Sequence, residues 1–155
     1  MLSNIRMQTT FPEPKYLLFY LTLQATKNMV AYYNKALAPL GITAHQMTAL
    51  GVLWQEKDLS LGEFARRSGI GKAAAVSMIK RLEDMGFVSR EPNSENARLN
   101  MLNLTEKARS LVPEVVEKVA QVEKAVESAV GEKKMRSLIK GLSVLKNMDL
   151  SRFSD

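Results

Sequence analysis

The sequence contains no cysteine, which excludes several classes of chemistry at once. A chain without thiols forms no disulfide, offers no thiolate to a metal and has no cysteine nucleophile or redox sensor. Its single histidine, His45, has no carboxylate cluster beside it and does not make a metal site. We therefore expect no metal and no cofactor. We also find no acid–base pair or nucleophile–base set that would indicate an enzyme.

Proline and glycine are scarce, at 5 and 8 of 155 residues. With 46% hydrophobic and 25% charged residues, this composition is typical of a folded, helix-rich chain that can bury a core. The apolar run near the N-terminus, Leu17–Leu23, is short and no cleavage site follows it. We interpret it as the start of a long buried helix rather than a signal peptide or membrane span. The expectation is a cytoplasmic protein with no membrane partner.

Acidic residues are outnumbered by basic ones, 16 to 22, which gives a formal net charge of +6. A basic balance favours a polyanionic partner such as nucleic acid.

Helix signals divide the first half of the chain. Apolar residues recur every three or four positions over 15–37, which predicts a long helix ended by Pro39 and Gly41. Thr43-Ala44-His45-Gln46 matches a capping box, in which the threonine caps a helix and the glutamine reaches back. A second capping box at 60–63 predicts the start of a short third helix.

The stretch "SGIGKAAAVSMIKRLEDMGF", residues 68–87, allows two interpretations. A Gly-Lys pair before a helix suggests a phosphate-binding loop. That loop requires a glycine where Arg66 stands, a serine or threonine where Ala73 stands, and a preceding buried strand, so we reject it. A short capped helix, a glycine turn and a fourth helix fit a helix-turn-helix instead. That fourth helix is predicted from Lys72 to about Met85, with Gly86 as its stop and with Ala75, Ile79 and Leu82 facing inward.

A change of hydrophobic period follows. Phe87–Glu91 and Leu99–Leu104 are predicted strands, with Leu99 and Met101 alternating with Asn100, and they flank a polar loop at 92–97. This hairpin is interpreted as a wing.

Two further helices are predicted to end the chain. Thr105 caps the first, which carries a valine-rich stripe over 111–130 and contains Pro113, a residue that can kink it. Gly131 separates it from a last helix with apolar residues between 135 and 145. Two long apolar helices that flank a small winged domain are expected to pair with a second copy of the chain.

The fourth helix presents a polar and small-residue face outward, made of Lys72, Ala73, Val76, Ser77 and Lys80. A helix of this kind fits the major groove, and an arginine near a wing tip, here Arg98, reaches the minor groove or its phosphates. The alternative is an ordinary solvated helix and hairpin tip. The ordered set of capped helices, turn, helix and basic wing is more specific than any one member.

Residues 43–105 resemble the winged helix-turn-helix of the MarR family of bacterial transcriptional regulators. The stretches that carry the resemblance are "ITAHQMTALGVL", "LSLGEFARRSGIGKAAAVSMIKRLEDMGFVSREPN" and "NARLNMLNLTEKAR". The resemblance implies a mainly α fold in three segments: an N-terminal dimerisation helix (1–42), the DNA-binding domain (43–105) and C-terminal dimerisation helices (106–155). It implies that Arg98 is the wing arginine and that 72–81 read the major groove. The candidate DNA-binding residues are Lys72, Ala73, Ala74, Val76, Ser77, Lys80, Arg81, Arg90 and Arg98.

Three departures from the family pattern have consequences. The family's wing commonly carries Asp-x-Arg, whereas this chain has Asn96-Ala97-Arg98, so the arginine lacks an ion-pair partner there. The reading helix usually begins with Ser and Thr and carries an arginine, but this one is rich in alanine. Alanine touches thymine methyls and donates nothing to a base edge, so affinity should depend on phosphates and DNA shape. The lack of cysteine removes the family's thiol-oxidation branch.

The resemblance also implies a small anionic or aromatic ligand bound between the two regions. The candidate ligand-binding residues are Met29, Tyr32, Tyr33, His45 and Trp54. Core packing is the alternative, and the stronger explanation, for the methionine and the three aromatic residues. For the histidine, the alternative is an exposed or hydrogen-bonded residue in the first turn of a helix.

The sequence therefore predicts a homodimeric DNA-binding transcriptional regulator that acts as a repressor on a pseudo-palindromic operator and is released by a small-molecule effector. A winged-helix protein–protein interaction module with weak or lost DNA binding is the alternative, motivated by the alanine-rich face and Asn96.

Overall fold

The computed structural model describes residue 13 and residues 17–93 and 100–149. In chain order the elements are α1 (Leu18–Leu37), a 3-10 turn (Ala38–Leu40), α2 (Ala44–Gln55), β1 (Leu59–Ser60), α3 (Leu61–Ser68), α4 (Lys72–Asp84), β2 (Val88–Pro92), β3 (Asn100–Leu104), α5 (Glu106–Val130) and α6 (Glu132–Lys146). The mainly α architecture with a small sheet is as predicted.

The first helix differs from its prediction at its start. Leu17 has extended backbone, with φ −81° and ψ 123°, so α1 begins at Leu18 rather than at residue 15. The apolar side chains of its first turns are 50% to 78% exposed, namely Leu18, Phe19, Leu21 and Leu23. The prediction of a buried start was wrong for the single chain, because α1 buries only Leu37 within it.

No single helix among the described residues is long and apolar enough to cross a membrane. Two consecutive segments, Leu18–Leu40 and Ala44–Gln55, are together long and apolar enough to cross a membrane. They are bent by 76° where they meet.

The two predicted capping boxes are confirmed. In the first, the Gln46 backbone N–H donates to Thr43 Oγ1 at 3.2 Å and the Thr43 N–H donates to Gln46 Oε1 at 2.8 Å. In the second, the Glu63 N–H donates to Ser60 Oγ at 3.2 Å and the Ser60 N–H donates to Glu63 Oε2 at 3.0 Å. Each box satisfies N–H groups that a helix start otherwise leaves unpaired.

The wing is part of a three-stranded antiparallel sheet with the order β1–β3–β2. The sequence analysis missed β1, because two residues are too short to show alternation. Leu102 and Leu104 are the buried residues of β3, and Met101 is partly buried. β2 continues to Pro92, a residue placed in the loop by the prediction; an edge strand tolerates its missing N–H. Leu99 and the predicted loop after Asn93 lie outside the described residues.

One core joins the sheet to the helices around it. Its largest fully buried side chains come from five helices or strands: Leu37, Leu53, Phe64, Ile79, Leu82 and Leu102. Ala75 is also fully buried, so the predicted inward face of α4 is confirmed. One face of α4 therefore packs against the core, and the opposite face is exposed.

The C-terminal helices are long and mostly uncovered in the single chain. Thr105 caps α5 as predicted, and the helix runs through Pro113 to Val130. Of the predicted valine-rich stripe, Val122 is buried and the other members are partly buried. α6 buries no residue, and its apolar side chains Leu138, Ile139, Leu142 and Leu145 are exposed.

Candidate nucleic-acid interface

The turn between α3 and α4 sets the angle at which α4 leaves the core. Gly69 has φ 65°, the left-handed conformation that glycine adopts without steric cost. The Ile70 N–H donates to the Ala65 carbonyl at 3.2 Å, which closes the end of α3. The Ile70 side chain then packs against the core. The glycine turn of a helix-turn-helix is thus present as predicted.

The outer face of α4 is free of packing within the described chain. Seven of its exposed residues are Lys72, Ala73, Ala74, Val76, Ser77, Lys80 and Arg81, and Asp84 at the end of the helix is exposed as well. All seven were predicted to belong to the DNA-binding face, and their outward exposure agrees with that prediction. Their contact with DNA stays a prediction.

The charges of this face lie toward its ends. Lys72 and Lys80 are eight residues apart, which is about 12 Å along the helix axis at ~1.5 Å per residue. Small residues occupy the surface between them, so a duplex can approach the helix backbone closely. The N-terminus of α4 has no side-chain cap and no acidic residue in its first turn. Its unpaired N–H groups therefore favour an anion such as a phosphate.

Arg90 does not project freely toward solvent. Its Nε donates to Glu83 Oε1 at 2.7 Å and its Nη2 donates to Glu83 Oε2 at 3.1 Å. These hydrogen bonds to Glu83 raise the pKa of the Arg90 guanidinium. The pair links the last turn of α4 to β2. Sequence reasoning grouped Arg90 with the DNA contacts and missed Glu83, since a spacing of seven residues across a turn gives no local signal.

The junction between α4 and β2 is also held from the other side, by the start of α5. Lys107 Nζ donates to the Met85 carbonyl at 2.8 Å, and Thr105 Oγ1 donates to the Gly86 carbonyl at 2.7 Å. The ammonium of Lys107 lies 5.1 Å from the centroid of the Phe87 ring. We call these contacts the α4–α5 latch. Thr105 was predicted as a helix cap, whereas the contact of Lys107 was not predicted, because it joins residues 22 positions apart.

An open cleft of about 480 Å³ lies beside this latch. Its apolar lining comes from the 3-10 turn, the α4–β2 junction and α5, and its polar lining comes from α5. The lining residues are Leu40, Gly41, Met85, Phe87, Lys107, Ser110, Leu111 and Glu114. None of the five predicted ligand-binding residues lines it.

Those five residues have different environments. Tyr32 is 60% exposed and Trp54 is 48% exposed. The expectation that these two side chains pack in the core is therefore wrong for the single chain. The Arg109 guanidinium lies over the Trp54 ring, 5.8 Å from its centroid. Met29 is partly buried. His45 is exposed in the first turn of α2, which agrees with the alternative to a ligand-binding role.

Tyr33 is partly buried, and its hydroxyl donates to the Glu123 carboxylate, which joins α1 to α5. Burial, and then the hydrogen bond and negative charge of Glu123, raise the pKa of Tyr33 well above its ordinary value. The hydroxyl therefore stays protonated and already has an acceptor. This hydrogen bond favours a structural role for Tyr33, between α1 and α5.

A capped helix, a glycine turn, an exposed second helix and a small antiparallel sheet define the class of winged helix-turn-helix proteins. Residues 42–99 match the model of the MarR family. The match lies in the winged helix-turn-helix segment, and there the chain is similar to MarR-family proteins.

The chain is also similar to named transcriptional regulators over part of its length. The organic hydroperoxide resistance transcriptional regulator of Bacillus subtilis is 27% identical over 100 residues, which cover 64% of this chain and 68% of that protein. An HTH-type transcriptional repressor of Mycobacterium bovis is 33% identical over 78 residues, half of this chain and 56% of that one. The repressor CouR, solved bound to a 23-mer DNA duplex, has a similar fold, with TM-score 0.82, 23% identity and coverage of 90% and 99%. CouR has also been solved bound to p-coumaroyl-CoA.

The predicted wing contact lies beyond what the structure describes. Arg98, together with Asn96 and Ala97, falls in the segment 94–99, which is outside the described residues. Its role in the minor groove stays a prediction from the sequence.

Proposed function

We propose that this protein is a homodimeric, cytoplasmic transcriptional repressor that binds double-stranded DNA through α4, is released by a small ligand, and catalyses no reaction. The observation that carries the proposal is the outer face of α4, which is exposed over seven residues and bears Lys72, Lys80 and Arg81. A helix that packs on one side only and carries cations on the other fits the major groove of a duplex.

The pattern of charge and small side chains indicates how α4 would bind. Lysines near the ends of the face suit phosphates, and Ala73 and Val76 suit thymine methyl groups. Ser77, which lies between the two lysines, can form a hydrogen bond with a base edge. We therefore expect a large phosphate component and a strong dependence on salt.

Exposed apolar side chains on α1 and α6 support pairing of two chains. Phe19 is 78% exposed and Ile139 is 52% exposed. Contiguous apolar surface on a soluble chain is typically an interaction site. Two-fold pairing through these helices would set two α4 helices about one DNA turn apart, which matches a pseudo-palindromic operator.

The named relatives support the direction of regulation. The M. bovis relative is named a repressor, and CouR is a repressor with structures containing DNA and p-coumaroyl-CoA. By similarity, we infer repression that a small aromatic ligand relieves.

A salt titration of duplex binding tests the proposal. Wild-type protein is expected to bind operator DNA, selected from a random pool, with an affinity that falls steeply as salt increases. Lys72→Met and Lys80→Met should each weaken binding and reduce the salt slope by roughly one. Lys140→Met on α6 makes the same charge change away from α4 and should leave both unchanged. Binding that is absent at low salt, or flat in salt, would refute DNA recognition by this face.

The wing is tested separately. Arg98→Ala is expected to weaken binding at most sequences, because a minor-groove arginine adds affinity without reading the major groove. An unchanged dissociation constant would remove Arg98 from the interface.

A second candidate function is a protein–protein interaction module. The alanine-rich outer face of α4, where Ala73 and Ala74 lie exposed, favours it because those side chains donate no hydrogen bond to a base. It predicts a stable dimer that ignores duplex DNA at all salt concentrations while pairing through α1 and α6 persists.

A further inference from the structure

Met85 is the C-cap of α4, and it is held through both its sulfur and its backbone. Gln46 Nε2 donates to Met85 Sδ at 3.3 Å, and Lys107 Nζ donates to the Met85 carbonyl at 2.8 Å. We propose that Met85 is a site of reversible oxidation by small hydroperoxides, and that its sulfoxide displaces the end of α4 and weakens DNA binding. The effect on DNA rests on the proposed function, in which α4 is the reading helix.

The side chain of Met85 is partly buried and borders open space. It lines the open cleft of about 480 Å³ and also packs against the hydrophobic core. A hydroperoxide is small enough to enter this cleft. Met47 and Met78 pack against the same core but do not line the cleft. Met85 therefore combines contact with the core and access from the cleft.

The oxidation is a two-electron transfer of one oxygen atom to the thioether. A lone pair of the sulfur attacks one oxygen of hydrogen peroxide, and the S–O bond forms as the O–O bond breaks. The proton on the transferred oxygen passes to the departing hydroxide, which leaves as water; an alkyl hydroperoxide leaves as the alcohol. The sulfur is oxidised and the peroxide is reduced, so no further reactant is needed. Methionine sulfoxide reductases reverse the change with a thiol as the reductant.

The amide of Gln46 decides which lone pair of the sulfur is attacked. Its Oε1 accepts from the Thr43 N–H at 2.8 Å within the capping box, so its Nε2 is turned toward Met85. A thioether sulfur has two lone pairs, and Nε2 occupies the side of one of them. An oxygen added on that side would overlap the amide nitrogen. The peroxide is therefore expected to react with the other lone pair, which gives one of the two sulfoxide epimers.

The sulfoxide removes the tie between α2 and α4. Oxidation converts an apolar thioether into a polar group and disrupts the packing around it. The added oxygen is unfavourable against the core, because a buried polar group without a partner costs free energy. The oxidised side chain is therefore expected to leave the core and Gln46 and to turn toward the open cleft.

The backbone of Met85 passes this movement to the reading helix. The Met85 N–H donates to the Arg81 carbonyl at 3.1 Å in the last turn of α4, and the Met85 carbonyl accepts from Lys107 in the α4–α5 latch. Arg81 belongs to the exposed face of α4. A side chain that leaves its contact with α2 therefore loosens the end of α4 opposite to the glycine turn. Because α4 has to fit the groove along its length, the affinity for DNA should fall.

The first experiment compares reduced and oxidised wild-type protein. Hydrogen peroxide is the oxidant, peptide mass spectrometry locates each sulfoxide, and fluorescence anisotropy of a labelled operator duplex measures Kd. Oxidation of Met85 should raise Kd about fivefold or more, the lower end of typical allosteric coupling, and the reductases should restore the starting value. Full oxidation of Met85 with an unchanged Kd would overturn the proposal. So would a Met85 that stays reduced after Met148, which is 41% exposed, is fully oxidised.

Variants assign the effect to one methionine. Met85→Leu keeps an apolar side chain of similar size and should bind DNA like reduced wild type but not respond to peroxide. Met85→Gln places a polar group there and should weaken binding without any oxidant. Met148→Leu is the matched control and should respond to peroxide like wild type. Weakening on oxidation that persists in Met85→Leu would overturn the assignment. If the Met85 variants fold poorly, the time courses of Met85 oxidation and of Kd in wild type decide, because the proposal requires them to coincide.

Gln46→Glu tests the role of the amide. A glutamate keeps the capping box, as Glu63 does in the second box, but has no N–H for the sulfur. Methionine sulfoxide reductases A and B each act on one epimer. One of the two enzymes should reduce the Met85 sulfoxide of wild type, whereas both should be needed for the variant. A wild-type sulfoxide that each enzyme reduces by half would overturn the role of Gln46.

The outcomes separate this inference from the function on which it rests. Reduced protein that binds duplex DNA with a Kd indifferent to Met85 oxidation refutes the inference and leaves the repressor proposal standing. Reduced protein that binds no duplex DNA refutes the repressor and the effect on DNA together. In that case the epimer ratio still decides whether Gln46 directs oxidation at Met85.

Discussion

The bond between Glu83 and Arg90 allows the sharpest test of how the wing is set against α4. If Arg90 itself holds a DNA phosphate, then releasing it from Glu83 and deleting a nearby negative charge should strengthen DNA binding. If Arg90 instead positions β2 against α4, then breaking the pair should weaken binding. Glu83→Gln distinguishes the two roles by sign, and we expect weaker binding.

The magnitude follows from the exposure of the pair. The side chains of Arg90 and Glu83 are 35% and 28% exposed, so water screens the 2.7 Å contact. A partly exposed ion pair of good bidentate geometry contributes about 1 kcal/mol. If that energy holds the wing in its binding position, its loss corresponds to about a fivefold increase in Kd, since ~1.4 kcal/mol is tenfold. Arg90→Lys keeps the charge but loses the fork, so it should have the same effect.

The assay is fluorescence anisotropy of a labelled duplex at several salt concentrations. The expected result is that Glu83→Gln, Arg90→Lys and the double variant each raise Kd by a similar factor with an unchanged salt slope. Arg136→Lys is the matched control, because Arg136 pairs with Glu132 at 3.0 Å on α6. Tighter binding by Glu83→Gln, with Arg90→Lys close to wild type, would show that the guanidinium is a phosphate ligand and would refute the positioning role.

Three further predictions concern stability, each measured by chemical denaturation. Ile79 is fully buried, so Ile79→Ala should lower the free energy of unfolding by about 2–5 kcal/mol, whereas Val76→Ala on the exposed face should change it by less than about 0.5 kcal/mol; equal effects would contradict the assigned faces. Tyr33→Phe should cost about 1–3 kcal/mol, because it removes a hydrogen bond to the charged Glu123 between α1 and α5; a neutral substitution would mean that the bond is absent in solution. The bonds from Ser60 lower the pKa of Glu63 below its ordinary 4.5, so the stabilisation by Glu63 is present above that pH and is lost as the pH falls through the lowered pKa. The stability gap between wild type and Glu63→Gln should therefore close on acidification, and a gap independent of pH would rule out this linkage.

Features set by neighbouring residues could be predicted from the sequence. The capping boxes at Thr43 and Ser60 need only the next three residues, and both are confirmed. The faces of α4 follow from the helical period, so Ala75 and Ile79 were correctly placed inside. The turn at Gly69 follows from a glycine between two helix signals.

Features that depend on distant residues could not be predicted. β1 exists because Leu59 pairs with Leu102, and two residues carry no pattern of their own. The bond from Lys107 to the Met85 carbonyl spans 22 residues and depends on how α5 docks. The apolar start of α1 looks like core in the sequence, but the residues that would cover it are not supplied by the described part of the same chain.

Ser60 has a further consequence because it belongs to two elements at once. It pairs with Met101 as the last residue of β1, and it also caps α3. The sheet and the helix-turn-helix therefore share a residue and have no hinge between them. The base of the sheet is therefore expected to move together with α3 when a ligand releases the DNA, whereas β2, on the other edge, depends on contacts such as Glu83–Arg90 for its position.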